Sequence, residues 1–537
     1  MHPDTLRRRG SGALAAALAL AATSLATAEL VTWTGAADRI WEKKENWSPK
    51  KVPGPADDVL IPKHSGEIMI TVGNTLVGGN PVPAPKKLKS LTLEGSTDEK
   101  RATILTAAQT QPGMPAPTKH LPVNIVIETT GDIEIGKVNT LLGANAKGSP
   151  TLAIAGGSVV LKTTGENASI RLVGEPDIRA GHGGGGFAAN GQPFLRGAGG
   201  SVELRAKGDL TIVGAEVFAA SDGGFWGTGS APGGSVVIQG KKITLKDFAH
   251  VRAGLSTSGL AGSVTVDSKS DLSCDATSVI KGGTAILSGT VGGGVGIVAL
   301  GKVESVGEIA GGDGETGGNV VLFADDLDNP GVIAGGKSNA AGTKGGDVTL
   351  TVKKAPPTKV GKPSGGEGTP AGDVLVNGKK LMTFTDPIRG GRVLVKVTGE
   401  EGEPPIIAFL EGGSIEAETF VCLDAAEGSI DFSGFGGEGP AIAVLPSGLV
   451  NLGGSPVLGE LPSLASLIEG DFIESDGGCT PRECLADIDG DGVVDEWDLA
   501  LLLAFWGAES AALDFDGDGA VGSGDLSLLL AAWGPCD

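Results

Sequence analysis

A mainly β protein built around a parallel solenoid is what this sequence predicts, and three observations carry that prediction. A short signature of two small residues, one variable residue and a Val recurs along the middle of the chain. Aliphatic and polar residues alternate after each copy. Glycine accounts for 91 of 537 residues, while Tyr is absent and aromatic residues make up only 4%. A conventional globular enzyme of this length carries far more aromatic bulk in its core.

The signature begins at Gly156, Gly199, Gly233, Ala261, Gly292, Gly317, Gly345, Ala371 and Gly390, mostly at steps of 25 to 34 residues. Runs such as VVIQ, VTVD, VVLF and VTLT follow it, with the period-2 alternation of a strand, and the glycine pair reads as the turn. Further short strands fall between copies, as in KITLK from Lys242 to Lys246 and AHVRA from Ala249 to Ala253. Two or three strands per repeat fit one coil of a solenoid. About fifteen coils stacked at ~4.8 Å over residues 66–450 would make a rod ~70 Å long. Inward Val, Ile and Leu ladders fill such a core without aromatic residues, which accounts for the composition. The rival architecture, a pair of Gly-rich sandwiches, calls for hairpin turns and more buried Trp or Tyr. In repeat style, the region resembles the right-handed β-helices of bacterial surface and adhesin-type proteins. That resemblance implies a right-handed parallel β-helix.

The ends differ from the middle. Arg7, Arg8 and Arg9, the Ala/Leu run from Ala13 to Leu25 and Ala26-Thr27-Ala28 read as a signal peptide over residues 1–28, with export through the ordinary secretory route. The apolar run is too short to span a bilayer, and no later stretch is long enough. Residues 29–65 carry Trp33, Trp41 and Trp47 followed by VPGPADDVLIP, a pattern that resembles the entry segment of large secreted β-helical proteins. We read it as a Trp-rich cap over the first coil, which a solenoid requires. A sugar-binding platform is the alternative for the same indoles. The Lys, Pro and Gly-rich stretch from Lys353 to Gly372 reads as a surface excursion, and residues 451–483 as the end of the solenoid and a linker. A net charge of −22 argues against nucleic acid as a partner.

Residues 484–537 carry the clearest chemistry. From Asp487 to Asp498, carboxylates stand at loop positions 1, 3, 5, 9 and 12 (Asp487, Asp489, Asp491, Asp495, Asp498), with Gly492 at position 6 and the carbonyl of Val493 at position 7. This is EF-hand spacing, in which alternate side chains converge on one Ca2+ and glycine makes the bend. From Asp514 to Asp525 the pattern returns with Asp514, Asp516, Asp518, Ala520 and Asp525, and Gly522 at position 9 leaves that ligand to water. The loops lie 27 residues apart, and each leads into an apolar helix, LALLLAFWG or LSLLLAAWG. Val494 is placed to form a small β-bridge between the two loops. An isolated acidic turn does not explain two loops in register.

With Asp at position 12 of both loops and one helix after each, the module resembles a type I dockerin. The resemblance implies two calcium ions, calcium-dependent folding, and docking onto a cohesin-like protein or cell-surface component through residues 484–537. It also implies that the module's ends meet, so that Cys484 pairs with Cys536, with Cys479 as competitor. Glu496-Trp497 and Ser523-Gly524 stand where the family carries its Ser/Thr recognition pair, and neither helix contains Lys or Arg.

Catalytic constellations are thin. Gly181-His182-Gly183 and Asp325-Asp326 echo two motifs of β-helical polygalacturonases, but in reverse order and without the other two. Asp325, Asp326 and Asp328 precede Asn329-Pro330-Gly331 and read as a solvated turn, and no catalytic residue is assigned. The expectation is a secreted, calcium-binding structural or adhesion-type rod. Its rival is an enzyme or accessory protein of extracellular polysaccharide degradation, with a glycan as ligand.

Overall fold

The computed structural model describes residues 28–473 with short breaks, the longest at 109–123, and beyond them residues 486, 488, 493–495, 498–499, 502–503, 506 and 521–535. The expected signal peptide therefore lies outside the described residues. The protein is mainly β, and parallel strands stack coil upon coil in three columns.

The first column is written in the signature itself. Val159, Val202, Val236, Val264, Val295, Val320, Val348, Val374 and Val393, the Val of every copy, are in register one above the next and continue to Val421 and Val450. All are buried. The second column runs through Leu91, Ile133, Ile170, Leu210, Ile243 and Leu272, and the third through Leu141, Ile178, Val217, Val251, Ile280 and Ile309. Each buried Val or Leu contributes roughly 1.5–3 kcal/mol against an exposed reference.

The variable residue of the signature has its own ladder. The Ser158 hydroxyl accepts the Ser201 N–H at 3.0 Å, Ser201 accepts that of Ser235 at 3.1 Å, and Ser235 accepts that of Ser263 at 3.2 Å. Farther on, Asn319 Oδ1 accepts from Asp347, Asp347 from Asp373, and Asp373 from Arg392. A short oxygen-bearing side chain one coil up supplies the acceptor each N–H needs.

The glycine pairs are not turns. The second glycine of each pair enters an unbroken axial column of backbone hydrogen bonds, alternating with a residue from the end of a coil. The order is Gly157, Gly181, Gly200, Ala220, Gly234, Gly254, Gly262, Gly283, Gly293, Gly312, Gly318, Gly336, Gly346, Gly366, Gly372 and Gly391, each N–H donating to the carbonyl before it at 2.7–3.0 Å. A Cβ on Gly254 would sit 2.0 Å from the Ala220 carbonyl oxygen, and one on Gly234 1.9 Å from that of Gly200. Close backbone approach, rather than a left-handed φ, is what demands glycine here. The column ends where the Thr419 hydroxyl donates to the Gly391 carbonyl at 3.1 Å. Phe384, before Gly391 in the chain, and Phe409 and Phe432, after it, stack through the core with centroids 5.6 and 4.9 Å apart.

Parallel pairing reaches Asp471–Ile473, within the residues expected to end the solenoid, while two other stretches differ from expectation. Thr358–Ser364, expected as an excursion, is a strand of the stack with Val360 fully buried, and a register shift between Val360 and Lys362 leaves Lys362 exposed. Asn329-Pro330-Gly331 is no turn either: the strand Val320–Ala334 runs through it with a register shift between Asn329 and Val332.

At the start of the chain, Leu30–Trp33 pairs with Asp58–Ile61, and Ile40 bridges to Thr71. Trp33, Trp41 and Trp47 are buried, meet edge to face at 4.9 and 4.7 Å, and tie together through the Trp47 Nε1–H bond to the Trp41 carbonyl. With their faces covered, these indoles offer no sugar platform. They pack.

Candidate metal centre

Of the residues expected to hold calcium, Val493, Asp495, Asp498 and Asp525 are described. Asp487, Asp489, Asp491, Asp514, Asp516, Asp518 and Ala520 lie outside the described residues, as do Cys484 and Cys536. Asp498 and Asp525 are both fully buried. Asp498 Oδ1 accepts the N–H of Ile488, at loop position 2, and its Oδ2 accepts that of Asp495, at position 9. The carboxylate thus spans its own loop and draws position 9 towards position 2. In the second copy, Asp525 Oδ2 accepts the Gly522 N–H at 2.6 Å, again position 12 to position 9.

A carboxylate offers about four lone-pair sites. A buried anion is costly unless something positive balances it. The buried carboxylates of Asp498 and Asp525 are hard oxygen donors of the kind that calcium takes. Among the described residues, no three His, Cys, Asp or Glu side chains gather at one point.

Ser523–Ala531 is helical, as are residues 498–499 and 502–503. The inward positions match between copies: Val494 and Val521, and Leu502 and Leu529, are buried in one cluster. So do the outward ones, with Leu503, Trp506, Leu530 and Trp533 each close to half exposed. The expected backbone bridge between loops is replaced, among the described residues, by pairing of Val493–Val494 with Gly534–Pro535 after the last helix. Val494 and Val521 meet through side chains instead.

That apolar cluster does not close on itself. It includes Val298, with Phe323 packed against it, and both stand on the outward face of the first column. The flank of the solenoid completes the small core. A module this short cannot bury enough apolar surface alone. Other outward residues of the column, Thr265, Asp267, Val321 and Thr349, are also buried. So is Cys422, which is disulfide-bonded, while Cys274 is a buried free thiol whose pKa burial raises to about 11.

The enzyme-like motifs remain apart. His182 shares a 2.6 Å contact between Nδ1 and the Ser221 hydroxyl, and burial, followed by the nearby Arg179, lowers its pKa. Asp328 pairs with Lys302 at 2.9 Å. No described contact joins the two sets.

No protein-family model, curated protein or solved structure matches the chain. Any functional reading therefore rests on these residues alone.

Proposed function

We propose that the protein is a secreted, calcium-binding structural or adhesion-type rod, in which a right-handed β-helix capped by the Trp segment carries a dockerin-like module for tethering or docking. The observation that supports this most is the burial of Asp498 and Asp525, the same position of two acidic loops 27 residues apart. Asp487, Asp489, Asp491, Asp495, Asp498 and the Val493 carbonyl would hold the first ion. Asp514, Asp516, Asp518, Asp525 and the Ala520 carbonyl would hold the second. Calcium would supply the positive charge that lets these carboxylates converge. The matching exposed pairs Leu503 with Trp506 and Leu530 with Trp533 are the surface by which a cohesin-like or cell-surface partner would be gripped.

Calorimetric titration of the full chain should count two calcium ions, the first loop binding more tightly for its five carboxylates against four. Asp498→Asn and Asp525→Asn should each remove one event. A wild-type chain that takes up no calcium would overturn the reading. The alternative role in extracellular polysaccharide breakdown gains support from the half-exposed Trp506 and Trp533, which have the shape of sugar-stacking faces.

A further inference from the structure

Where the module sits on the solenoid, a groove of about 350 Å³ opens between them. Its floor is the outward face of four successive coils and its wall is Trp506. Lys162 and Arg205 stand in one row, in register with Gln239 and Asp267. Lys207, Lys241 and Lys269 each follow two residues after Arg205, Gln239 and Asp267, so they form a second row up the coils, ~4.8 Å per step. Five cations and one carboxylate line this space, in a protein whose net charge is −22.

The internal pairing leaves much of that charge unmet. Asp267 accepts from Gln239 at 2.9 Å and pairs with Lys269 at 3.2 Å. Glu203 holds Arg205 at 2.9 Å. Lys162, Lys207 and Lys241 have no carboxylate partner among the described residues. Like charges stacked in register are destabilising, and an anion lying along the row relieves them. Trp506, 48% exposed, adds a flat apolar face over the same space.

We propose that this groove binds an acidic saccharide, its carboxylate or sulfate groups on Lys207, Lys241 and Lys162 and one ring face against Trp506. Arg205, whose guanidinium donates to Glu203 at 2.9 Å and to Gln239 at 3.3 Å, adds positive charge beside the lysines. The volume suits about two sugar rings within the usual range for ligand sites. A long nucleic acid would meet the repulsion of the remaining acidic surface. The proposal goes beyond the calcium reading and needs only that Trp506 remain seated against the coils.

The test is fluorescence and calorimetric titration of the full chain in calcium buffer. The probes are a tetramer of galacturonic acid, a sulfated tetrasaccharide, a neutral galactose tetramer, inorganic sulfate and a thymidine tetranucleotide. At least one acidic tetrasaccharide should bind tenfold or more tightly than the neutral tetramer, sulfate or the nucleotide. K207A/K241A should weaken it at least tenfold, and Trp506→Ala should do so too, with the circular dichroism spectrum unchanged because all three side chains are exposed. Calcium stoichiometry is measured separately on each variant, so loss of the saccharide and loss of the metal are told apart. The proposal fails if neither acidic tetrasaccharide binds, if the neutral tetramer or sulfate binds as well, if the nucleotide binds more tightly, or if the variants bind like wild type.

Discussion

The coils from Gly157 to Gly391 and those carrying Phe409 and Phe432 solve one problem in opposite ways. Each coil must join its end to the start of the next without leaving a gap. In the first region the join is backbone against backbone, a single file of amide hydrogen bonds in which every member but Ala220 is a glycine, those from Gly181 on with no room for a Cβ. In the second the file has stopped, and Phe409 and Phe432 continue a ring stack that starts on Phe384 of the last file coil. The changeover is marked by Thr419, whose hydroxyl satisfies the last carbonyl of the file. Solenoid regularity therefore does not require one kind of filling. It requires that each coil meet a neighbour of its own kind.

Adding atoms to the first region should do far more harm than removing them from the second. Gly254→Val is expected to have the largest effect, above roughly 4 kcal/mol, because its side chain would enter backbone that has nowhere to move. The yield of soluble chain and the far-ultraviolet melting curve report it. Wild-type behaviour would mean that the file is dispensable. Phe409→Ala should cost about 3–5 kcal/mol by leaving a cavity between its two neighbours, and Phe409→Leu only about 1 kcal/mol. Denaturant unfolding of the pair measures the difference, and equal losses would show that ring stacking, rather than volume, holds these coils. Smallest should be Thr419→Val, about 1–2 kcal/mol for stranding the Gly391 carbonyl, with Thr419→Ser close to neutral. If both variants melt alike, the hydroxyl does not mark the boundary between the regions.

How much of this was legible in the sequence depends on what each residue answers to. The valine column was readable because its spacing repeats and each Val meets its own counterpart. The glycine pairs were visible but misread. A pair of glycines before a strand looks the same whether it bends the chain or lets two backbones touch, and only the neighbouring coil tells which. The Ser, Asn and Asp that precede the valines were passed over as variable, although each bears a side-chain oxygen within reach of the next coil. Lysine and proline made 358–364 look like a loop, and the register shift beside Val360 breaks the alternation that would have marked a strand. At the candidate metal centre the loops could be numbered from sequence, and burial of Asp498 and Asp525 at position 12 agrees with that numbering. The seat on Val298 and Phe323 could not be read, because nothing near 298 or 323 in the chain mentions residues two hundred places away. The cationic groove was missed for the same reason: its lysines are spread over four repeats.

The seat of the C-terminal module has a mechanical consequence. The last parallel strand, Asp471–Ile473, and the coil bearing Phe323 are six ladder steps apart, about 30 Å at ~4.8 Å per step. The chain between Ile473 and Ala486 is long enough to cover that distance, at ~3.3 Å per residue. The tail thus turns back along the rod and grips it part-way down. A load applied to the module would not draw the coils apart along their axis. It would slide the module across the flank, in shear, spreading the strain over Val298, Phe323 and the helices at once.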